Sequence, residues 1–353
     1  MTEKKRDLNL DLIRSFALVA VLVMHYYDNS GFYTVTMDGA GDFVMAVVRM
    51  LFVSCVPLFL MLSGWLCSGR KLSARYYLGM LRILELYVIT TIACVLFEAL
   101  YLGSLLSLKE IISGLINLEL NGYAWYVLLY GGLFLMMPFL NMMYRGCAGK
   151  RQKQILILSF LALSVLPSLF NQFVHIYSIW WSKLYPICYY FTGAYMRDYL
   201  KREKPSRFFL ALFGFTLVFC LFNQFYFQGQ AVNYDGIHYD HYQAYIVSVL
   251  LFAAMASLDL KSLPHALSRM ISKVSELSFA AYLLSWISDG IIYREFVPFF
   301  PRPEDRFLWI LVLVPLSLLS SLIMAQAAHW IYTPMDRFFR PRLLRLLPAT
   351  EDK

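Results

Sequence analysis

The sequence predicts an all-α, polytopic integral membrane protein with about ten transmembrane helices and both termini cytoplasmic. Three observations carry that prediction. The 353-residue chain is 59% hydrophobic and only 15% charged, with a mean hydropathy of +0.58, whereas a soluble domain carries about 25% charged residues. Its apolar residues fall into evenly spaced segments of roughly 17–25 residues, the length that crosses a hydrocarbon core. Its basic residues sort to one side of those segments.

The segments cover residues 8–27, 49–66, 76–102, 123–143, 154–172, 178–196, 208–226, 242–259, 275–293 and 307–332. The first has no small-residue cleavage site and runs on into aromatic, polar sequence, so it reads as a retained helix rather than a signal peptide. The second contains Pro57 and Ser63-Gly64. Pro and Gly free backbone groups that a neighbouring helix or a cavity must satisfy. The third begins behind Arg70, Lys71 and Arg75 and is long enough to tilt or break. The fourth opens on Trp125-Tyr126, as an interfacial aromatic belt would.

Between alternate segments lie Lys4, Lys5, Arg6; Arg70, Lys71, Arg75; Arg145 to Lys153; Arg197 to Arg207; Lys261, Arg269, Lys273; and the C-terminal Arg337, Arg340, Arg342, Arg345 and Lys353. These are 23 of the 31 Lys and Arg residues. Arg49, Lys109, Lys183, Arg294, Arg302 and Arg306 fall at the other surface, and Arg14 and Arg82 lie within spans. Nine or eleven helices would scramble this segregation. The expected organisation is a single membrane domain over residues 1–345 with a short cytoplasmic tail at 346–353. The connections 28–48, 103–122 and 227–241 are then extracytoplasmic; ordinary interfacial loops explain their polar, Tyr- and Asn-bearing composition first, a carbohydrate-like acceptor second.

The formal charge of +8 belongs to the inner membrane surface, so the expected partner is the lipid bilayer and not nucleic acid. The six cysteines show no CxxC or Cys/His ligand spacing, which indicates neither a metal site nor a disulfide framework. No internal repeat is visible, which weighs against inverted-repeat transporters.

Within this frame the first segment carries the strongest candidates. Arg14 and His25 are separated by an almost wholly apolar stretch, and an ionisable group inside a span is a functional candidate by default. Eleven steps of about 100° return to the starting face, which puts the two side chains on one side of the helix about 16 Å apart. An imidazole such as that of His25 can act as general base toward a hydroxyl; a satisfied interfacial histidine is the alternative. Asp28 and Asn29 are placed to orient its ring if the helix continues that far. Asp11 stands three residues before Arg14, close enough for an ion pair, which either merely neutralises Arg14 or completes a site.

On the third segment, Arg82 and Glu85 either neutralise one another or, with Lys71 and Arg75, form a cationic edge for a phosphate-bearing cytosolic substrate. Ser63 has no visible base, and Ser63-Gly64 suits a close helix contact. His175, His238, His241, His265 and His329 lie in or near loops or helix ends without metal spacing.

Taken together these stretches resemble the membrane acyltransferase-3 family. LDLIRSFALVAVLVMH matches its Arg, ten residues, His signature at Arg14 and His25. FVSCVPLFLMLSGWL resembles its second-helix stretch ending at Ser63-Gly64, and AWYVLLYGGLFLMMPFL its fourth helix, with Trp125, Tyr126 and Pro138. FTGAYMRD (Gly193, Tyr195) and SELSFAAYLLSW (Ser278, Phe279, Tyr282) match later motifs. Two positions depart: Ser285 stands where relatives often have His, and Glu85 where relatives often continue from Arg into a proline-bearing stretch. No hydrolase-like soluble domain follows, so the chain resembles the standalone members that modify surface glycans.

The resemblance implies an O-acyltransferase of the cell (inner) membrane. It would move an acyl group, acetyl in the first instance, from cytosolic acyl-CoA as co-substrate to a hydroxyl of a saccharide or glycolipid acceptor, with no bound cofactor. His25 and Arg14 are its expected catalytic pair. Arg82, Lys71, Arg75 and Asp11 are expected at the donor, and Trp125, Tyr126, Ser63 and Glu85 at the acceptor. Direct transfer in a ternary complex is the expected route, a covalent relay the alternative. The rival reading is a polytopic solute transporter using Arg14, Arg82, Glu85, Asp289 and His25, or a membrane amino-acid-handling subunit without acyl transfer.

Overall fold

The computed structural model describes residues 6–36, 39–171, 178–202, 204–226 and 238–345. The predicted tail at 346–353 lies outside the described residues, as do Lys4, Lys5 and His175. Among the described residues the architecture is all-helical, with no strand. Fourteen α-helices follow in order: α1 Leu8–Ser30, α2 Ala40–Phe52, α3 Cys55–Cys67, α4 Ala74–Tyr77, α5 Gly79–Tyr101, α6 Leu108–Asn117 and α7 Trp125–Gly146. Then come α8 Lys150–Ser164, α9 Pro167–Phe170, α10 Tyr185–Tyr199, α11 Pro205–Tyr226, α12 Tyr242–Ala256, α13 His265–Phe296 and α14 Ile310–Arg345. Six described stretches are long and apolar enough to cross a bilayer: Leu8–Ser30, Ala40–Cys67, Ala74–Tyr101, Trp125–Gly146, Pro205–Phe225 and Pro303–Arg345. The protein is thus a multi-pass membrane protein.

Helix lies in all ten predicted segments, but several boundaries differ for local reasons. Helix begins at Ala40, inside the predicted connection 28–48, and the second segment is broken at Val53-Ser54. Pro57 accounts for the break: its ring removes the bond to the carbonyl four residues earlier, that of Val53, and clashes with it. The predicted connection 103–122 contains α6, started by a capping box in which Ser107 and Glu110 each accept the other's backbone N–H, at 3.3 and 2.8 Å. The third segment breaks before Gly79, and the fifth at Val165-Leu166, where Pro167 opens a new turn.

The chain forms two compact units interleaved in sequence. One comprises Met1–Cys67, Cys147–Glu276 and Glu295–Val314; the other comprises Ser68–Gly146, Leu277–Arg294 and Pro315–Lys353.

In the first unit α1 packs on α3, and α3 on α10. The α3–α10 approach is made at glycines. A Cβ on Gly64 would sit 1.9 Å from the Tyr190 carbonyl oxygen, and one on Gly193 would sit 2.0 Å from that of Met61. Only glycine permits such contact between backbones. Helix α1 is fastened at both ends. Buried Asn9 donates to the carbonyls of Met255 and Leu258, each at 2.8 Å, which satisfies acceptors that the end of α12 leaves unmet. At the other end Gly31 adopts the left-handed conformation (φ 75°), and the Arg306 guanidinium donates to the carbonyls of Ser30, Phe300 and Pro301.

In the second unit α4 meets α7 through Tyr76, whose hydroxyl donates to the Phe134 carbonyl at 2.7 Å and whose ring stacks on Phe134. Asn121 is buried and donates to the Leu283 carbonyl at 2.9 Å. Asn141 donates to the Arg70 carbonyl at 2.9 Å.

Candidate functional site

Helix α1 is unbroken from Leu8 to Ser30, so Arg14 and His25 share a face and both belong to the first unit. Arg14 is half-buried, and His25 is 7% exposed. Around Arg14 a polar relay ties α1 to α13. The Arg14 guanidinium donates to the Ser275 hydroxyl at 3.3 Å, and that hydroxyl donates to the Asp11 carboxylate at 2.7 Å. Ser272 donates to the other Asp11 oxygen at 3.1 Å. Arg6, which sequence reasoning counted only among inner-surface charges, pairs with Asp11 through Nε and reaches its second oxygen from Nη2 at 3.1 Å. The hydrogen bond to Asp11 raises the Arg6 pKa further above its ordinary value, against the opposing effect of burial. Buried Asp11 is thereby satisfied from several directions, as a buried carboxylate must be.

Toward the other end of α1 the helix continues through Asp28 and Asn29, and the Asn29 amide donates to the His25 backbone carbonyl at 2.8 Å. Asp28, one turn beyond His25, lies close enough for its charge to act on Cys55 and Tyr239. The Cys55 thiol donates to the Tyr239 hydroxyl at 3.6 Å, and the Tyr189 hydroxyl donates to the Tyr239 carbonyl at 2.9 Å. Burial holds the Tyr239 phenol protonated well above its usual range. His241 caps this end of α12. Its pKa is lowered, first by burial and then by His238 and Arg49, with Asp240 opposing. Arg49 is buried and donates from Nε to the Tyr33 hydroxyl at 3.1 Å. Tyr239, His241 and Arg49 thus join the His25 end of the unit. Their involvement could not be read from spacing, since Arg49 comes from α2 and Tyr239 and His241 from the turn before α12.

Ser63, also in the first unit, is buried and spends its hydroxyl on the Phe59 carbonyl at 2.9 Å. That bond points the hydroxyl at the preceding turn of α3, beside the close contact at Gly64.

Lys71, Arg75, Arg82, Glu85, Trp125 and Tyr126 belong to the second unit. Lys71, Arg75 and Arg82 are exposed. Arg82 does not pair with Glu85; it lies over the Tyr332 ring at 5.6 Å. One Glu85 oxygen is buried without a hydrogen-bond partner among the described residues. Trp125 is exposed, and its ring meets buried Tyr126 edge-on at 6.1 Å. Tyr126 meets Tyr282 edge-on at 6.1 Å, and the Tyr282 hydroxyl donates to the Tyr123 carbonyl. Asp289, 4% exposed, accepts from Tyr123 at 2.9 Å and from Ser317 at 2.7 Å. Trp286 stands edge-on to Tyr123 at 5.1 Å and donates to Glu98 at 3.2 Å. This group of rings and carboxylates around Trp125 and Tyr126 is wider than the sequence motifs marked.

Neither the curated proteins nor the solved structures yield a match to this chain. A family model described as "Acyltransferase domain", that of the acyltransferase-3 family, matches residues 7–326. The match runs through both units and takes in Arg14, His25, Ser63-Gly64, Trp125, Gly193 and Tyr282, and on that extent the chain belongs to the acyltransferase-3 family.

Proposed function

We propose that this acyltransferase moves an acyl group, acetyl in the first instance, from cytosolic acyl-CoA to a hydroxyl of a saccharide or glycolipid acceptor. In this reading the chain crosses the inner membrane ten times, with both termini in the cytoplasm. The segregation of 23 of its 31 basic residues supports that orientation, because cytoplasmic loops retain Lys and Arg.

The observation that carries the reading is the single uninterrupted helix bearing half-buried Arg14 and buried His25 on one face. A rise of about 1.5 Å per residue separates them by about 16 Å. An extended acyl-CoA likewise holds its thioester well away from its phosphates, so a donor anchored near Arg14 can present its thioester toward His25. The imidazole takes the proton from the acceptor hydroxyl as that oxygen attacks the thioester carbonyl carbon. The new C–O ester bond forms, the C–S bond breaks, and coenzyme A leaves as a thiolate that recovers the proton from the imidazolium. General-base help of this kind contributes typically 10²–10⁴-fold. Ser63 spends its hydroxyl on Phe59, which favours direct transfer over a relay through that side chain. The rings of Trp125 and Tyr126 and the carboxylates near them suit a sugar, with apolar faces for its C–H surfaces and acceptors for its hydroxyls.

The test is purified protein with labelled acetyl-CoA and cell-surface glycan. His25→Ala should abolish transfer while leaving insertion and purification unchanged. Undiminished transfer by that variant, or solute uptake by the wild type without any acyl-CoA turnover, overturns the proposal.

A further inference from the structure

At the Arg6 edge of the first unit, the opening turns of α13 border an open cavity of about 510 Å³ lined by Arg6, His265, Ser268, Arg269, Ser272, Lys273 and Glu276. We infer that this cavity is the subsite for the phosphate groups of the acyl donor, with Arg269 and Lys273 as its specificity-determining cations; the inference rests on the donor assignment above. None of these residues was a donor candidate on sequence grounds.

Charge is the first argument. Arg6, Arg269 and Lys273 are cationic, and Glu276 is the single acidic side chain in the lining. Glu276 is partly engaged by Lys273 at 3.5 Å. Arg269 has no hydrogen-bond or ion-pair partner among the described residues, and it is exposed. Arg6 is pre-oriented: Nε is held by Asp11, and Nη2 donates to the Ser272 carbonyl at 2.8 Å. A guanidinium fixed in this way loses little freedom when it binds phosphate. The size fits a nucleotide head group, since ligand pockets span about 300–1,000 Å³.

Continuity is the second argument. Ser272, in the cavity wall, donates to Asp11 at 3.1 Å, Asp11 accepts from Ser275 at 2.7 Å, and Ser275 accepts from Arg14 at 3.3 Å. The polar path therefore leads from the cavity to Arg14 and onto the face of α1 that carries His25. An anionic phospholipid headgroup offers the same phosphate chemistry. The hydrogen-bonded path to Arg14 favours the soluble donor, and the experiment separates the two sources.

The experiment measures binding of coenzyme A and of 3′-dephospho-coenzyme A to the full chain in detergent without added phospholipid. Transfer kinetics and binding to phosphatidylglycerol nanodiscs are followed in parallel. Arg269→Glu and Lys273→Glu should each weaken coenzyme A roughly five- to tenfold, the size of one or two exposed charge contacts. They should raise the KM for acyl-CoA at unchanged kcat and shrink the preference for the 3′-phosphorylated form. Arg269→Lys should retain most of the affinity, and Arg269→Ser serves if charge reversal lowers the yield. Unchanged coenzyme A binding in these variants overturns the inference, as does a loss confined to phosphatidylglycerol. His25→Ala should still bind coenzyme A normally. A wild type that binds and turns over no acyl-CoA would instead overturn the donor assignment, and this subsite with it.

Discussion

Gly64 and Gly193 hold two helices at backbone contact: each lies where a single methyl group would fall within 2.0 Å of a carbonyl oxygen on the opposite helix. No side-chain rotation can relieve such a clash, because the obstructing atoms are main chain. Overpacking a core costs about 1–3 kcal/mol in ordinary cases, and Gly64→Ala or Gly193→Ala should reach or exceed the upper end. Gly214, with nothing within 4 Å of its Cβ position, is the control. Thermal unfolding in detergent should show large losses for the first two variants, and for Gly214→Ala no loss or a gain of about 0.5–1 kcal/mol.

Arg14 should respond differently to removal and to conservative exchange. Its hydrogen bond to Ser275 links it to Asp11, so it is held in place before any donor arrives. Arg14→Ala should raise the KM for acyl-CoA roughly ten- to a hundredfold, the value of a hydrogen bond to a charged group. Arg14→Lys, which keeps the charge and loses the fork, should fall between. Full donor affinity in both variants would remove Arg14 from donor binding.

Arg306 should matter for stability without touching chemistry. It supplies hydrogen bonds to three carbonyls at the end of α1 and its neighbouring turn. Arg306→Ala strands those acceptors at on the order of 1–3 kcal/mol for each that stays buried. A lower unfolding temperature with an unchanged KM is the expected pair of readings. Lysine at this position should recover only part of the loss, because a point charge cannot reach all three.

His241 predicts a pH dependence. Its pKa lies below the ordinary 6.5, chiefly through burial, with His238 and Arg49 adding to the effect and Asp240 opposing it. The unfolded chain therefore binds the extra proton more readily than the folded one. Stability from this group is complete above about 6.5 and is lost as pH falls through the folded value. Wild-type unfolding temperature should drop between pH 7.5 and pH 5, and His241→Gln should flatten that drop. Equal slopes for the two proteins would remove His241 as the source.

Hydropathy located the helices but not their interruptions. Each apolar segment carries helix because a buried backbone must bond to itself in a hydrocarbon environment. The break at Val53-Ser54 was legible in Pro57, and α6 in Ser107 and Glu110; both signals are local, and a reading by segment length passes over them. The Arg14 and His25 positions could be read from one helix because both lie on it. The partners could not. Arg6 meets Asp11 across the helix start, Ser272 and Ser275 come from more than 250 residues away, and Tyr239 reaches Cys55 from a distant loop. Periodicity places residues on faces but does not say which faces meet. Of the two readings that the Arg82–Glu85 spacing left open, mutual neutralisation is the one the structure does not show, for the same reason: Tyr332, far along the chain, lies under the guanidinium.

Helix α1 is secured by Asn9 at one end and by Arg306 at the other. A rod clamped in this way sets a fixed length between the group it carries near its start and the one near its finish. Thioesters too short to reach from one mark to the other, such as acyl groups on a bare cysteamine stub, would gain nothing from the first mark when reacting at the second. The enzyme would then discriminate among donors by reach as well as by charge, as a gauge does.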